Sequence, residues 1–253
     1  MSTRPTRQRI SWKHKIAGFL ARNFKNIKGG YLGRQRFILK MWVYRILPYL
    51  GFDYSRLIEW QFVLKNLHLN KNAKILEIGC TSSLFIYELA KFGKTFGIDG
   101  RPYFEKLPKN IKFIQGDALK LPFPDNYFDC IAVISVIEHI GLGAYKDTVY
   151  EDGDFKAMGE LKRVLRAGGV VFVTTMIGNE DIITPNGDLR IYDEKRFNKL
   201  IEKFFIVKEE YYIFRRRWVP VDKEKAFLES PVFLPSLKGY GTACVQLTKN
   251  RNK

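Results

Sequence analysis

From Asn72 onward, short apolar runs alternate with stretches whose apolar residues recur at helical spacing. Residues 74–78, 95–98 and 111–115 read as strands, and residues 83–92, between the first two, as a helix. Residues 130–135 are almost continuously apolar, which predicts a strand buried on both faces. Two further helices are expected, over residues 154–166, ending at Ala167-Gly168-Gly169, and over residues 193–204, with Asp193 as N-cap. Residues 170–175, 206–214 and 242–247 read as strands. This repeated β-α-β order predicts an α/β domain with a doubly wound, mostly parallel sheet, its last pair of strands forming an antiparallel edge. Such a sheet takes its ligand outside the carboxyl ends of its strands.

Ahead of that domain, residues 1–54 differ in character. Trp12, Ile16, Phe19, Leu20, Phe24 and Ile27 follow helical spacing, Lys13, Lys15, Arg22, Lys25 and Lys28 fall largely on other faces, and Gly29-Gly30 ends the pattern. A basic amphipathic helical arm is predicted. The formal charge of +17 is concentrated there: the first 50 residues hold twelve Lys or Arg and no acid, while the rest of the chain carries 31 basic and 26 acidic residues. An apolar stripe beside basic residues fits an anionic membrane surface, RNA or the arm's own domain, and periodicity does not choose among them. Arg22, Lys25 and Lys28 interrupt the early apolar stretches, and Lys40, Arg45 and Pro48 interrupt the most apolar one, residues 37–50. Neither a secretory leader nor a membrane-spanning helix is therefore expected, and the expected location is cytoplasmic, peripheral on the inner face of the membrane where the arm binds lipid.

With 46% hydrophobic and 27% charged residues, the composition is that of a folded globular chain. Cys80, Cys130 and Cys244 are widely spaced and form no paired motif, so neither a disulfide framework nor a thiolate metal site is indicated.

Candidate chemistry begins where the first strand ends in Glu77-Ile78-Gly79 and turns into Cys80, Thr81, Ser82 and Ser83. Gly79 lets backbone approach a ligand, and the small residues after it offer hydroxyls and helix-start amides. Asp99, followed by Gly100, stands at the tip of the second strand, 22 residues after Glu77. A carboxylate there is suited to accept hydrogen bonds from both hydroxyls of a ribose. Then come Gly116-Asp117-Ala118, Leu121-Pro122-Phe123-Pro124-Asp125-Asn126-Tyr127-Phe128-Asp129, Ser135-Val136-Ile137-Glu138-His139, and a run with Glu160, Arg163 and Gly168-Gly169.

In that order and spacing, over about residues 55–250, the chain resembles the class I S-adenosylmethionine-dependent methyltransferases. The resemblance implies a Rossmann-like seven-stranded sheet, a methyltransferase domain over residues 55–253, and S-adenosylmethionine as cofactor. It implies Glu77 and Gly79, with Cys80 and Thr81 in the same turn, at the methionine end of the cofactor. Asp99 with Gly100 falls at the ribose, Asp117 with Ala118 at the adenine, and Ser135 with Val136 alongside. Thr81 and Ser83 stand where the family commonly has glycine, which predicts a less permissive loop. A dinucleotide oxidoreductase is disfavoured, because Gly-x-Gly-x-x-Gly is absent from the first turn.

Methyl transfer from a sulfonium is an in-line displacement that asks the protein mainly for positioning, with a base where the acceptor must lose a proton. His139 is the candidate base, its alternative role being a histidine bonded to nearby backbone. Residues 141–154, a long connection rich in tyrosine and acid, together with Arg190 and Tyr192 resemble a largely uncharacterised methyltransferase subgroup linked to surface polysaccharide synthesis. On that resemblance Tyr145, Asp152, Arg190 and Tyr192 are candidate contacts to a saccharide or lipid-linked glycan methylated on oxygen. The alternatives are a helix cap at Asp152 and a rigid lid. Arg215-Arg216-Arg217-Trp218 and the arm offer a surface to nucleic acid, but no Asn/Asp-Pro-Pro-aromatic motif follows the fourth strand. RNA ribose methylation is thus the second reading, and a non-catalytic binding fold the third.

Overall fold

Along the central strands, successive side chains enter two different cores, as the period of two requires. The computed structural model describes residues 55–70, 72–83, 85–103, 107–145, 149–215, 217–230 and 240–249. The amphipathic arm expected over residues 1–54 lies outside them. Helix α1 (Arg56–Asn66) leads into strand β1 (Ala73–Ile78), a single 3-10 turn (Cys80–Ser82), helix α2 (Ile86–Leu89), β2 (Gly93–Asp99), β3 (Ile111–Gln115) and β4 (Phe128–Ile134). A second 3-10 turn (Ile137–His139), α3 (Gly153–Val164), β5 (Leu165–Ile177) and the short pair β6 (Ile182–Ile183) and β7 (Arg190–Ile191) follow. Helix α4 (Glu194–Ile201), β8 (Phe205–Phe214), β9 (Trp218–Val221), α5 (Lys223–Leu228) and β10 (Gly241–Thr248) complete the described elements.

The main sheet runs β3-β2-β1-β4-β5-β10-β8-β9. The five strands from β3 to β5 are parallel, and β10 is antiparallel to both β5 and β8. This is the doubly wound, mostly parallel sheet of a Rossmann-like methyltransferase fold, with eight strands in place of the seven implied by the resemblance. The additional strand, β9, pairs Trp218–Val221 with Tyr211–Phe214 across a hairpin. Its Pro220 donates no ladder bond, a lack that the outer edge of a sheet tolerates.

Leu76 and Ile78 of β1, Ile131 and Val133 of β4, and Val171 and Val173 of β5 pack under α3 and α4. Ala73, Ile75, Cys130, Ala132, Ile134 and Phe172 face the other way, onto Trp60, Phe62 and Val63 of α1. Trp60 stacks on Phe85 at 5.5 Å and Phe62 meets Phe172 edge-on at 6.2 Å, which fixes α1 across the carboxyl half of the sheet. The stretch read as one helix over residues 83–92 is helical only over the four residues Ile86–Leu89, preceded by the first 3-10 turn at Cys80–Ser82. Helix α3 stops at Val164, earlier than expected, because Leu165 is already extended and buried opposite Phe128. All three cysteines are buried as free thiols.

The Leu-Pro-Phe segment is held by α3. The Leu121 N–H donates to Glu160 Oε2 (2.8 Å), and Arg163 donates to the carbonyls of Phe123 (2.8 Å) and Leu121 (3.0 Å). Glu160 and Arg163 therefore owe their places to fixing the wall between β3 and β4. Among the described residues, no cluster of His, Cys, Asp or Glu suits a metal ion, and no helix is long and apolar enough to cross a membrane.

Candidate active site

The carboxyl ends of β3, β2, β1 and β4 border one cavity of about 420 Å³, within the range that holds small organic ligands. In sheet order its wall carries Gly116, Asp117 and Ala118 after β3, Asp99, Gly100 and Arg101 after β2, Gly79 after β1, and Ser135, Val136, His139 and Ile140 after β4, with Arg56 from α1 and Tyr145 from the connection to α3.

Gly79 makes the sharp turn at the end of β1. Its φ is +74°, and a Cβ there would lie 2.5 Å from Val136 Cγ2, so both backbone conformation and space demand glycine. Behind it Glu77 is 1% exposed and accepts a hydrogen bond from Ser83 Oγ at 2.5 Å. Ser83 Oγ in turn accepts from the Phe85 N–H at 2.9 Å. Thr81 binds Asp99 Oδ2 through both its N–H (3.0 Å) and its Oγ1 (2.6 Å). The two residues that replace glycines thus turn their hydroxyls onto the two acids of the loop, and neither lines the cavity.

Of the cofactor candidates in this turn, Gly79 lines the cavity, whereas Thr81, Cys80 and Glu77 do not. Cys80 is buried against Ile86, Tyr87 and Ile111 with its sulfur over Gly97, and burial beside Glu77 and Asp99 pushes its thiol pKa well up. Glu77 also lies behind the cavity wall, where it braces the turn from within.

Asp99 faces the cavity from the tip of β2 and is heavily hydrogen-bonded. Oδ1 accepts from the Arg101 N–H (2.9 Å) and Nε (3.0 Å), and Oδ2 from Arg101 Nη2 (3.0 Å) as well as from Thr81. Burial works to raise its pKa, but the bonds from Arg101 and Thr81 outweigh it and hold the carboxyl below the ordinary range. Asp117 Oδ1 accepts from the Leu119 N–H at 2.8 Å, closing the turn that presents Ala118 to the cavity.

Ser135 adopts a positive φ of +45°, held because its N–H donates to both the carbonyl and Oγ1 of Thr174 at 3.0 Å. Its Oγ donates to Glu59 Oε1 at 2.7 Å, and Arg56 donates to the carbonyls of Ile134 and Ser135. The sequence signal for this docking is an acid among the apolar residues Trp60, Phe62 and Val63 of α1; Arg56 and Arg101 carry no such signal.

The His139 ring lies half-buried in the cavity wall. Its Nδ1 faces the Asp188 carbonyl, which can only accept, so Nδ1 is the donor of that bond and, in the neutral ring, Nε2 holds the lone pair. The ring meets Tyr145 edge-on at 5.3 Å. Beneath it Glu138 is fully buried, Oε2 accepting from Thr175 Oγ1 at 3.1 Å, and burial raises its pKa.

The connection carrying Tyr145 is closed at its neck. The Tyr150 N–H donates to Gly141 O and the Gly153 N–H to Tyr150 O, each at 2.9 Å. Tyr145, 44% exposed, is the one acceptor candidate that the structure brings to the cavity. Asp152 is exposed at the N-terminus of α3, 3.9 Å from Arg196 Nη2. Arg190 is 9% exposed and grips Asp181 through Nη1 at 2.9 and 3.1 Å. Tyr192 has no exposed surface, and its hydroxyl donates to the Ile137 carbonyl at 3.3 Å. Read from the sequence as substrate contacts, these three residues do not line the cavity, and Arg190 and Tyr192 are bound to partners within the fold.

Residues 76–173 match the family model described as a methyltransferase domain. Sterol 24-C-methyltransferase ERG6B of Gibberella zeae is 30% identical over 149 residues, 52% of this chain and 36% of that one. Demethylmenaquinone methyltransferase of Staphylococcus aureus strain JH9 is 30% identical over 120 residues, 43% of this chain and 45% of that one. The chain spans less than half the length of either relative. Among solved structures, YcgJ of Bacillus subtilis superposes with a TM-score of 0.51 at 16% identity, over 77% of this chain and 99% of that one. A chain in the complex of the Haloferax volcanii Trm112 methyltransferase activator with a methyltransferase gives 0.52 at 13% identity, over 78% and 92%. The 4+2 cyclase SpnF gives 0.52 at 17% identity, over 76% and 80%, so the fold alone leaves the reaction open. The likeness is to a methyltransferase domain in sequence, over residues 76–173, and to a Rossmann-like methyltransferase fold in structure.

Proposed function

We propose that the chain is an S-adenosylmethionine-dependent methyltransferase that methylates an acceptor hydroxyl. One observation carries the reading: a single cavity holds, in sheet order, Asp117 and Ala118, Asp99, Gly79, and then His139 with Tyr145. The family match and the two methyltransferase relatives support the reaction class. S-adenosylmethionine supplies a methyl group already activated on a sulfonium. Asp99 would accept from the ribose hydroxyls, Ala118 and the Asp117 turn would bound the adenine, and the Gly79 turn would bring backbone close to the cofactor chain. Val136 and Ile140 would present an apolar wall to the reacting centre. His139 Nε2 is the basic atom available to take the acceptor's proton, and its partner Asp188 fixes the tautomer.

A saccharide or lipid-linked glycan is the finer part of this proposal. Tyr145 supports it, since an exposed ring at the cavity mouth suits stacking on a sugar face. Binding at a cytoplasmic membrane face rests on the basic residues of 1–54. Methyl-transfer assays over glycans, lipid-linked sugars, isoprenoid quinols and RNA, with labelled cofactor, test the acceptor. Transfer confined to a carbon or amine acceptor would overturn the hydroxyl assignment.

A further inference from the structure

The hydrogen bonds at Asp99 leave little room for a ribose. A ribose offers two neighbouring hydroxyl donors to the two oxygens of a carboxylate. Here the Nε and Nη2 of Arg101 already make that pair of contacts, each at 3.0 Å. The Thr81 bonds and the Arg101 N–H belong to the loop itself, whereas the guanidinium is held by a side chain 36% exposed. It also lies over the Tyr145 ring, 4.7 Å from the centroid, and Tyr145 touches His139. The residue after Asp99 is Gly100, where an added Cβ would meet nothing within 4 Å beyond its chain neighbours, so the loop that carries Arg101 is not packed in at that point.

We propose that Arg101 is a latch on the nucleoside site, its guanidinium standing where the ribose hydroxyls must bind, held there by Asp99 and Tyr145 and displaced on cofactor entry. The inference rests on the S-adenosylmethionine reading. A site that must open before it binds shows an apparent affinity reduced by the fraction of time it is open. Arg101 therefore weakens cofactor binding, the opposite of what a contact residue does. Because Tyr145 sits between Arg101 and His139, opening the latch also frees the ring that faces the acceptor.

The test is calorimetric and stopped-flow titration of S-adenosylhomocysteine into the wild-type chain, Arg101→Ala and Tyr145→Leu, each checked for folding by circular dichroism. Arg101→Ala is expected to bind about three- to tenfold tighter with a faster association rate, the scale of a partly exposed, charge-assisted pair. Tyr145→Leu is expected to shift both quantities the same way by a smaller factor. Equal or weaker binding by Arg101→Ala overturns the latch while leaving the cofactor reading in place. Absence of binding by every folded variant overturns the cofactor reading and the latch with it.

Discussion

Ser135 Oγ donates to Glu59 Oε1 at 2.7 Å, tying α1 to the turn after β4 across 76 residues of chain. Glu59 is 1% exposed, and Arg56, one turn earlier on α1, reaches the carbonyls of the same segment and the cavity wall. The helix before the sheet is thereby part of the site. Glu59→Ala is expected to cost about 1–3 kcal/mol of stability, because the buried Ser135 hydroxyl loses its acceptor. It is also expected to weaken S-adenosylhomocysteine binding, since Ser135 and Arg56 both border the cavity. Chemical denaturation and calorimetry on the same variant check both effects; unchanged binding would separate α1 from the site.

Gly79 is restricted twice, by φ and by Val136. Gly79→Ala is expected to destabilise the fold by about 2–4 kcal/mol and to abolish ligand binding. Adding Val136→Ala removes the side-chain methyls that fill the space beside Gly79 without relieving the positive φ, so the double variant should recover only part of the stability. Full recovery in thermal unfolding would show that crowding alone excludes a side chain.

His139→Ala should lower turnover about a hundredfold or more and leave S-adenosylhomocysteine affinity unchanged, as removal of a general base does. Steady-state kinetics on an identified hydroxyl acceptor, with parallel calorimetry, check the separation. A rate equal to wild type would assign His139 only its bond to Asp188.

Arg190 and Tyr145 distinguish support from contact. Arg190→Gln is expected to lose about 1–2 kcal/mol with its Asp181 bonds and to leave the acceptor KM as it was. Tyr145→Ala is expected to raise that KM several-fold with little effect on stability, since the ring is 44% exposed. The reverse pattern would return Arg190 to the acceptor.

Much of the fold was legible because strands buried on both faces write themselves as apolar runs, as Cys130–Ile134 does. The acid-Gly turn at Glu77–Gly79 and the acids Asp99 and Asp117 were legible because each stands at or just beyond the end of an apolar strand. A resemblance names residues without showing what each side chain touches. Tyr192 and Arg190 read as binding residues, yet each finds an internal partner, the Ile137 carbonyl and Asp181. Arg101 and Arg56 were hidden for the converse reason, since a sequence gives the charge but not the carboxylate or carbonyl it reaches. The helix expected from residue 83 begins only at Ile86, because Ser83 spends its hydroxyl on Glu77 and on the Phe85 N–H, which holds the start of the segment in a turn.

Asp99 also gives the fold a pH signature. Its pKa is depressed on folding, so the stability it contributes is complete above the unfolded value of about 3.9 and is lost as pH falls through the folded value. The stability advantage of wild type over Asp99→Asn should therefore be constant from neutrality down to about pH 4 and shrink below it. An advantage that grew on acidification would mean that burial, not Arg101 and Thr81, governs this carboxyl.

The most direct test of the cofactor site is calorimetric titration of S-adenosylhomocysteine into the folded wild-type chain and into Asp99→Ala. One-to-one binding in the wild type, weakened at least about tenfold when the ribose acceptor is removed, is the result expected of a cofactor held at Asp99. No binding by the folded wild type, or equal binding by both, would contradict it.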